Sequence, residues 1–177
     1  MQTNRNLVLY IAMSLDGFIA TPEGDLAFLG MVEKEGEDYG YHAFVQTVDT
    51  IIVGRKTWDK VFSMIHTNPH PDKTVYVITR TAQESEGDVH YYTGSLRELV
   101  LRLKNEPGKN IYCDGGAEIV NLLLQDELID ELIVSVIPVL LGKGIALFNN
   151  SRPEMQLQLV ESKAFEKGLV QLHYKKQ

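Results

Sequence analysis

An α/β fold built on a largely parallel sheet is what this sequence predicts, and three observations predict it. Apolar runs that do not alternate recur at residues 7–13, 50–54, 74–79 and 129–138, as strands buried on both faces do. Between them stand segments whose apolar residues fall at helical spacing, and strands alternating with helices imply parallel pairing. Near the end, residues 157–160 and 169–174 flank Lys167-Gly168 with period-two alternation in the second run, which predicts an antiparallel hairpin at a sheet edge.

The 177 residues form one domain, 1–177, long enough to bury a full core without staples. With 17 basic against 24 acidic residues the net charge is −7, which argues against a nucleic-acid or anionic-membrane surface while leaving room for a local basic pocket. Cys113 is the one cysteine, so no intramolecular disulfide forms and a reducing compartment fits. No apolar stretch is long enough to span a bilayer. The run at 7–13 follows Arg5, but it is at the short limit for a signal sequence and leads into Ser14-Leu15-Asp16-Gly17 without a cleavage motif. It reads as a first buried strand, and the protein as cytoplasmic.

Taken in order, the first strand runs into a turn at residues 14–20 and a loop at 21–25. Residues 31–38, rich in acid and glycine, read as an exposed loop. Tyr41, Phe44, Val45 and Val48 are spaced i, i+3, i+4, i+7, an amphipathic helix. The strand at 50–54 is followed by a helix opening at Arg55-Lys56-Thr57-Trp58. A polar loop at 66–72 precedes the strand at 74–79, and a short strand is expected at 89–92. Ser95 and Glu98 make a capping box for a helix whose face is Leu96, Leu99, Val100 and Leu103. Ile111-Tyr112-Cys113-Asp114 then reads as a strand, Gly115-Gly116 as a break, and Ala117-Glu118 as the start of a helix. After the strand at 129–138, residues 139–144 form a turn.

Ligands on such sheets bind outside the carboxyl ends of the strands. Three clusters fall there: Gly54-Arg55-Lys56-Thr57, Thr79-Arg80, and Asp114-Gly115-Gly116. Gly-Gly strips away Cβ atoms before a helix N-terminus, whose free N–H groups and partial charge favour an anion; it also serves as a plain tight turn. Cations in the first turn of a helix are disfavoured by the macrodipole, so Arg55 and Lys56 make sense with an anion between them. Arg80 offers a second guanidinium at an equivalent strand end, and guanidinium matches phosphate bidentately. No acid stands directly after Val53 or Ile78 to take a ribose hydroxyl, so a dinucleotide with a 2′-phosphate, NADPH, is favoured over NADH. Cys113 reads as buried packing. His66 and His70 flank Pro69 in a loop, and no metal site is expected.

Ala12-Met13-Ser14-Leu15-Asp16-Gly17, Val53-Gly54-Arg55-Lys56-Thr57-Trp58, Tyr76-Val77-Ile78-Thr79-Arg80 and Gly115-Gly116 resemble the dihydrofolate reductase superfamily. With Leu128-Ile129-Asp130-Glu131-Leu132 and the segment 137–144, the closer match is the reductase domain of the riboflavin-biosynthesis deaminase-reductase. The resemblance covers nearly the whole chain. It implies a three-layer α/β sandwich around a central mixed, mostly parallel eight-stranded sheet, with NADPH across its strand ends. Ala12 and Ile19 match positions at the nicotinamide. Gly54, Arg55 and Thr57 match the first phosphate turn, Thr79 and Arg80 the 2′-phosphate loop, and Gly115 and Gly116 a glycine pair at the pyrophosphate, with a cis bond between them; Lys56, Ala117 and Glu118 beside them complete the candidate cofactor-binding residues.

The implied activity is NADPH-dependent reduction of a small heterocyclic or sugar-phosphate substrate, similar to 5-amino-6-(5-phosphoribosylamino)uracil. Pterin reduction and NADPH binding without turnover are the alternatives. Asp38 matches a substrate carboxylate and Ser135 a hydroxyl beside it; Asp38 serves equally as a helix N-cap. Asp38, Ser14 and Ser135 are the candidate catalytic residues. The loop at 21–27 lacks the tryptophan of dihydrofolate reductases, and no His-x-Glu or Pro-Cys-x-x-Cys deaminase motif is present. Terminal apolar strands lead to the expectation of a homodimer.

Overall fold

Strand β1 (Leu7–Ser14) lies inside the sheet, with Leu7, Val8 and Leu9 buried, because its apolar residues face helices on both sides. The computed structural model describes residues 5–149 and 152–177. The other strands of the main sheet are β3 (Val48–Gly54), β4 (Thr74–Ile78), β5 (Val89–Tyr92), β6 (Asn110–Gly115), β7 (Glu131–Ile137), β9 (Leu157–Ala164) and β10 (Val170–Lys176). Their order is β5-β4-β3-β6-β1-β7-β10-β9. Every pairing from β5 to β7 is parallel, and β10 pairs antiparallel with both β7 and β9. The mixed eight-stranded sheet expected from the sequence is therefore present.

Helices cover both faces. On one, α3 (Leu96–Asn105) and α4 (Ala117–Gln125) bury Leu99, Val100, Leu103, Val120 and Leu123 against Leu7, Leu9 and Ile111. On the other, α1 (Tyr41–Gln46) and α2 (Arg55–Ile65) contribute Phe44 and Trp58 to a core with Val8, Ile51, Val75 and Tyr112. The Ser95 hydroxyl accepts from the Glu98 N–H at 3.3 Å, the N-cap half of the capping box. Cys113 is fully buried, and desolvation pushes its thiol up to about 12, so it is inert packing.

Three local expectations are corrected. Val48 begins β3 instead of extending α1, because the Thr47 N–H already closes the helix onto Phe44 and Val45 carbonyls. The apolar residues before the acidic loop form a 3-10 helix, Ala27–Val32, which buries Phe28 and Val32 against Ile137 and Leu169. Beyond the turn at 139–144, β8 (Ile145–Ala146) pairs with β2 (Phe18–Ala20) in a separate two-stranded ribbon. Both elements are too short for periodicity to reveal. No helix among the described residues is long and apolar enough to cross a membrane.

Arg5 fastens the sheet at the end remote from the strand carboxyl termini. It is 6% exposed and donates to the carbonyls of Lys109 (2.6 Å) and Leu103 (3.3 Å), to Thr50 Oγ1 (2.7 Å), and to the Asp49 carboxylate. Arg5→Ala strands these acceptors, with Asp49 partly relieved by solvent, and should cost about 2–4 kcal/mol of unfolding free energy in urea. A loss below about 0.5 kcal/mol would show that water replaces the guanidinium.

Candidate functional site

Two helices start side by side at the carboxyl ends of adjacent strands. β3 runs into α2 through Gly54, and β6 runs into α4 through Gly116; neither N-cap residue supplies a side-chain hydrogen bond to its helix. A Cβ on Gly54 would lie 3.0 Å from Ile119 Cγ1, and 3.6 and 3.7 Å from the Gly115 carbonyl and Gly116 nitrogen. A Cβ on Gly116 would lie 2.8 Å from Thr57 Oγ1. Gly115 has φ +105°, a conformation side-chain-bearing residues rarely adopt, and the Gly115–Gly116 bond is cis. The starts of the two helices are thus brought together, with their first backbone N–H groups close to one another and the Thr57 hydroxyl packed against Gly116. These residues fit a dinucleotide phosphate.

The cations stand around that spot. Arg55 Nε lies 2.7 Å from both Asp59 carboxylate oxygens, its Nη1 bonds Gln83, and the guanidinium lies 5.2 Å from the Tyr91 ring centroid. Arg80 is largely exposed and pairs with Glu118 at 2.5 Å. That contact joins two residues expected at the cofactor, bridging the end of β4 to the first turn of α4. Both arginines are held by exposed carboxylates, contacts weak enough to exchange for a phosphate. Lys56 is exposed in the first turn of α2, Ala117 begins α4, and Thr79 Oγ1 accepts from the Thr81 N–H at 3.1 Å, shaping the turn that carries Arg80.

A cavity of about 720 Å³ opens beside the ends of β1 and β7. Tyr10, Ala12, Ser135 and Ile137 form its floor, the 3-10 helix and the acidic segment its rim. Ala12 and Ser135, both singled out from sequence, are register partners across β1 and β7. Gln171 on β10 organises the floor: its Nε2 lies 3.1 Å from Ser135 Oγ, the Tyr10 hydroxyl and the Tyr39 carbonyl. Periodicity marks Gln171 only as a polar residue on an edge hairpin.

Asp38 also lines the cavity; its carboxylate accepts from the N–H groups of His42 (2.8 Å) and Gly40 (2.9 Å) and so closes the turn before α1, whose N-cap is Gly40 and not Asp38. Those bonds lower its pKa, the His42 N–H first, so it is ionised at neutral pH and available as an acceptor. Ser14 is fully buried; its hydroxyl donates to Asp16 Oδ1 (2.5 Å) and accepts from the Phe18 N–H (2.9 Å). Asp16 in turn accepts from Gly142 and Leu141, so Ser14 and Asp16 pin the first turn to residues 139–144. Ile19 packs beside the core under α4.

The motif's neglected residue is Asp114. Its Oδ1 accepts from the Tyr112 hydroxyl at 2.6 Å, and the charge of His70 acts on it electrostatically. Desolvation raises the Asp114 pKa, against smaller opposing effects of the Tyr112 bond and of His70; desolvation likewise lowers that of His70. His70 is 6% exposed with its ring edge-on to Tyr112, a packed residue; no cluster suited to a metal occurs among the described residues. Its place in a short loop hides this from sequence.

Comparisons with known proteins agree with this geometry. The RibD C-terminal domain model matches residues 5–171. The uncharacterized protein YwjB of Bacillus subtilis (strain 168) is 45% identical over 171 residues, covering 96% of this chain and 97% of that protein. A crystal structure from Shewanella sp. PV-4, provisionally assigned to riboflavin biosynthesis, superposes with TM-score 0.89 at 30% identity over 97% of this chain and 99% of its own. Dihydrofolate reductase from Enterococcus faecalis, complexed with NADP(H), shares the fold with TM-score 0.67 at 18% identity over 99% of each chain.

Asp114→Asn keeps an acceptor for Tyr112 and removes the desolvated charge. A raised carboxyl pKa means the folded state binds more protons, so this residue's contribution to stability is full below the unfolded value near 3.8 and is lost as pH rises through the folded pKa. The variant should therefore gain on the parent as pH rises from about 4 toward 8, measured by urea unfolding. A pH-independent difference would show that Asp114 titrates normally.

Proposed function

The chain belongs to the RibD C-terminal domain family, whose type is a reductase, and on that premise we propose that it is an NADPH-dependent reductase of a small heterocyclic substrate. The observation that carries the reading is the pair of uncapped helix starts meeting at Gly54 and Gly115–Gly116, with Arg55, Lys56 and Arg80 around them. In this reading Gly54, Thr57, Gly115, Gly116 and Ala117 hold the pyrophosphate on backbone N–H groups, and Arg55, Lys56, Thr79 and Arg80 take the adenosine 2′-phosphate. Glu118 steers Arg80. Ala12 and Ile19 offer small and branched apolar surfaces to the nicotinamide.

Bound NADPH supplies a hydride. The chain's own work is to hold the acceptor carbon close, exclude water, and orient the heterocycle. Ser135 donates to the substrate from the cavity floor, and ionised Asp38 accepts from it at the rim. Ser14 acts through the turn that it fixes, holding the end of β1 beneath the reacting groups. The substrate proton comes from solvent at the cavity mouth, since Asp38 carries none at neutral pH.

β9 is an exposed edge strand bearing Leu159 and Val160, so the reading extends to a symmetric homodimer through β9 and β10. Sedimentation should give twice the 20.0 kDa chain mass at micromolar concentration; a monomer mass would reject it.

Arg80→Ala should weaken NADPH by about 1–2 kcal/mol and leave NADH nearly unchanged, because only a contact to the 2′-phosphate is lost. Gly116→Ala should remove binding of both cofactors, since its methyl group meets Thr57 at the approach to the phosphate. Fluorescence titration with each cofactor measures both. Equal losses for NADPH and NADH in Arg80→Ala, or normal binding by Gly116→Ala, would contradict the reading.

A further inference from the structure

The chain separates its charges between the two halves of the site. Arg55, Lys56 and Arg80 stand at the ends of β3 and β4, where the cofactor phosphates are assigned. The substrate cavity has the opposite lining: Glu33, Glu35, Glu37 and Asp38 against the single cation Lys34. Lys34 is itself engaged by Glu166 at 2.6 Å, and nearby Lys167 donates its ammonium to the Glu33 carbonyl. Among the described residues no arginine lines the cavity.

The floor is neutral and built to hydrogen-bond. Ser135 is 5% exposed, and its oxygen already accepts from Gln171. Among the described residues no acceptor takes the Ser135 hydroxyl proton, which leaves that donor for a cavity occupant. Around it lie the Tyr10 ring and the apolar Ala12, Val32, Ile137 and Leu169, surfaces suited to a flat ring carrying a carbonyl or ring-nitrogen acceptor. A phosphate dianion at the rim would face four carboxylates against one ammonium, Lys34, whose exposed contact with Glu166 leaves the rim net negative. Juxtaposed like charges act against binding and steer such a ligand away.

We infer that this cavity selects an uncharged or cationic heterocycle and rejects its phosphorylated form. The inference rests on the reductase reading for its placement of substrate, and it departs from the phosphoribosyl substrate that the sequence resemblance implies. Asp38 and Glu37 are tied to backbone N–H groups at 2.8–2.9 Å, so the negative rim is a fixed feature of the loop.

The test is calorimetric binding of a matched pair, 5-amino-6-(5-phosphoribosylamino)uracil and its dephosphorylated counterpart, to the full chain with and without saturating NADP+. The dephosphorylated compound should bind at least about tenfold more tightly, and added salt should narrow the gap as screening grows. Glu33→Lys/Glu35→Lys should shrink or invert the preference. Equal or tighter binding of the phosphorylated compound overturns the inference, as does failure of both compounds to bind while NADP+ does. Failure of NADP+ alone overturns the reductase reading, and the comparison on the protein without cofactor still decides the selectivity.

Discussion

The architecture of the site depends on how closely two backbones approach where β3 and β6 end. Gly54 faces the Gly115 carbonyl and the Gly116 nitrogen, and Gly116 faces the Thr57 hydroxyl, with no room for a methyl group between Gly116 and Thr57. Because the strands are adjacent and parallel, this contact brings the starts of α2 and α4 together. Each helix presents unpaired N–H groups and the positive end of its dipole to the same place. A larger residue there would separate them and fill the space with side chain. Both arginines around it are held by exposed carboxylates, contacts weak enough to exchange for a phosphate.

The cavity half is organised by Gln171, which reaches in from β10, the strand next to β7. Gln171 lies opposite Ser135 in the β10–β7 register and reaches Tyr10 and the Tyr39 carbonyl. The antiparallel hairpin that closes the sheet therefore also sets the cavity floor. The 3-10 helix and the acidic segment fold over it by burying Phe28 and Val32. Cations gather at the ends of β3 and β4, Arg55 and Arg80 each beside a carboxylate, and acids line the cavity, in a chain of net charge −7.

Much of this was legible in the sequence, for identifiable physical reasons. Doubly buried strands announce themselves as unbroken apolar runs, so β1, β3, β4 and β7 were readable, and β9 and β10 declared themselves around Lys167-Gly168. Glycines at strand ends and misplaced cations marked the proposed cofactor side. The cavity was less visible. Its rim, residues 31–38, looked like plain solvated loop, because the 3-10 helix that anchors it spans six residues. Gln171 and His70 were hidden because their roles come from cross-strand and loop packing, which no local spacing records. Asp114 was read as a strand end within the Gly-Gly cluster, and its bond with Tyr112 and the influence of His70 went unseen because packing brings them together. Asp38 shows the converse: sequence admitted both a capping and a substrate role, and the geometry gives the N-cap to Gly40, leaving Asp38 on the turn before the helix and at the cavity rim.

The central claim is that the two halves form one reductase site, with cofactor phosphates over the glycine contact and substrate over Ser135. The most direct measurement is a crystal structure with NADP+ bound. The account predicts pyrophosphate density against the Gly54 and Gly115–Gly116 backbones, the 2′-phosphate between Arg55 and Arg80, and the nicotinamide beside Ala12, facing the cavity. Nucleotide density elsewhere, or a nicotinamide turned away from the cavity with Ser135 out of reach, would contradict it.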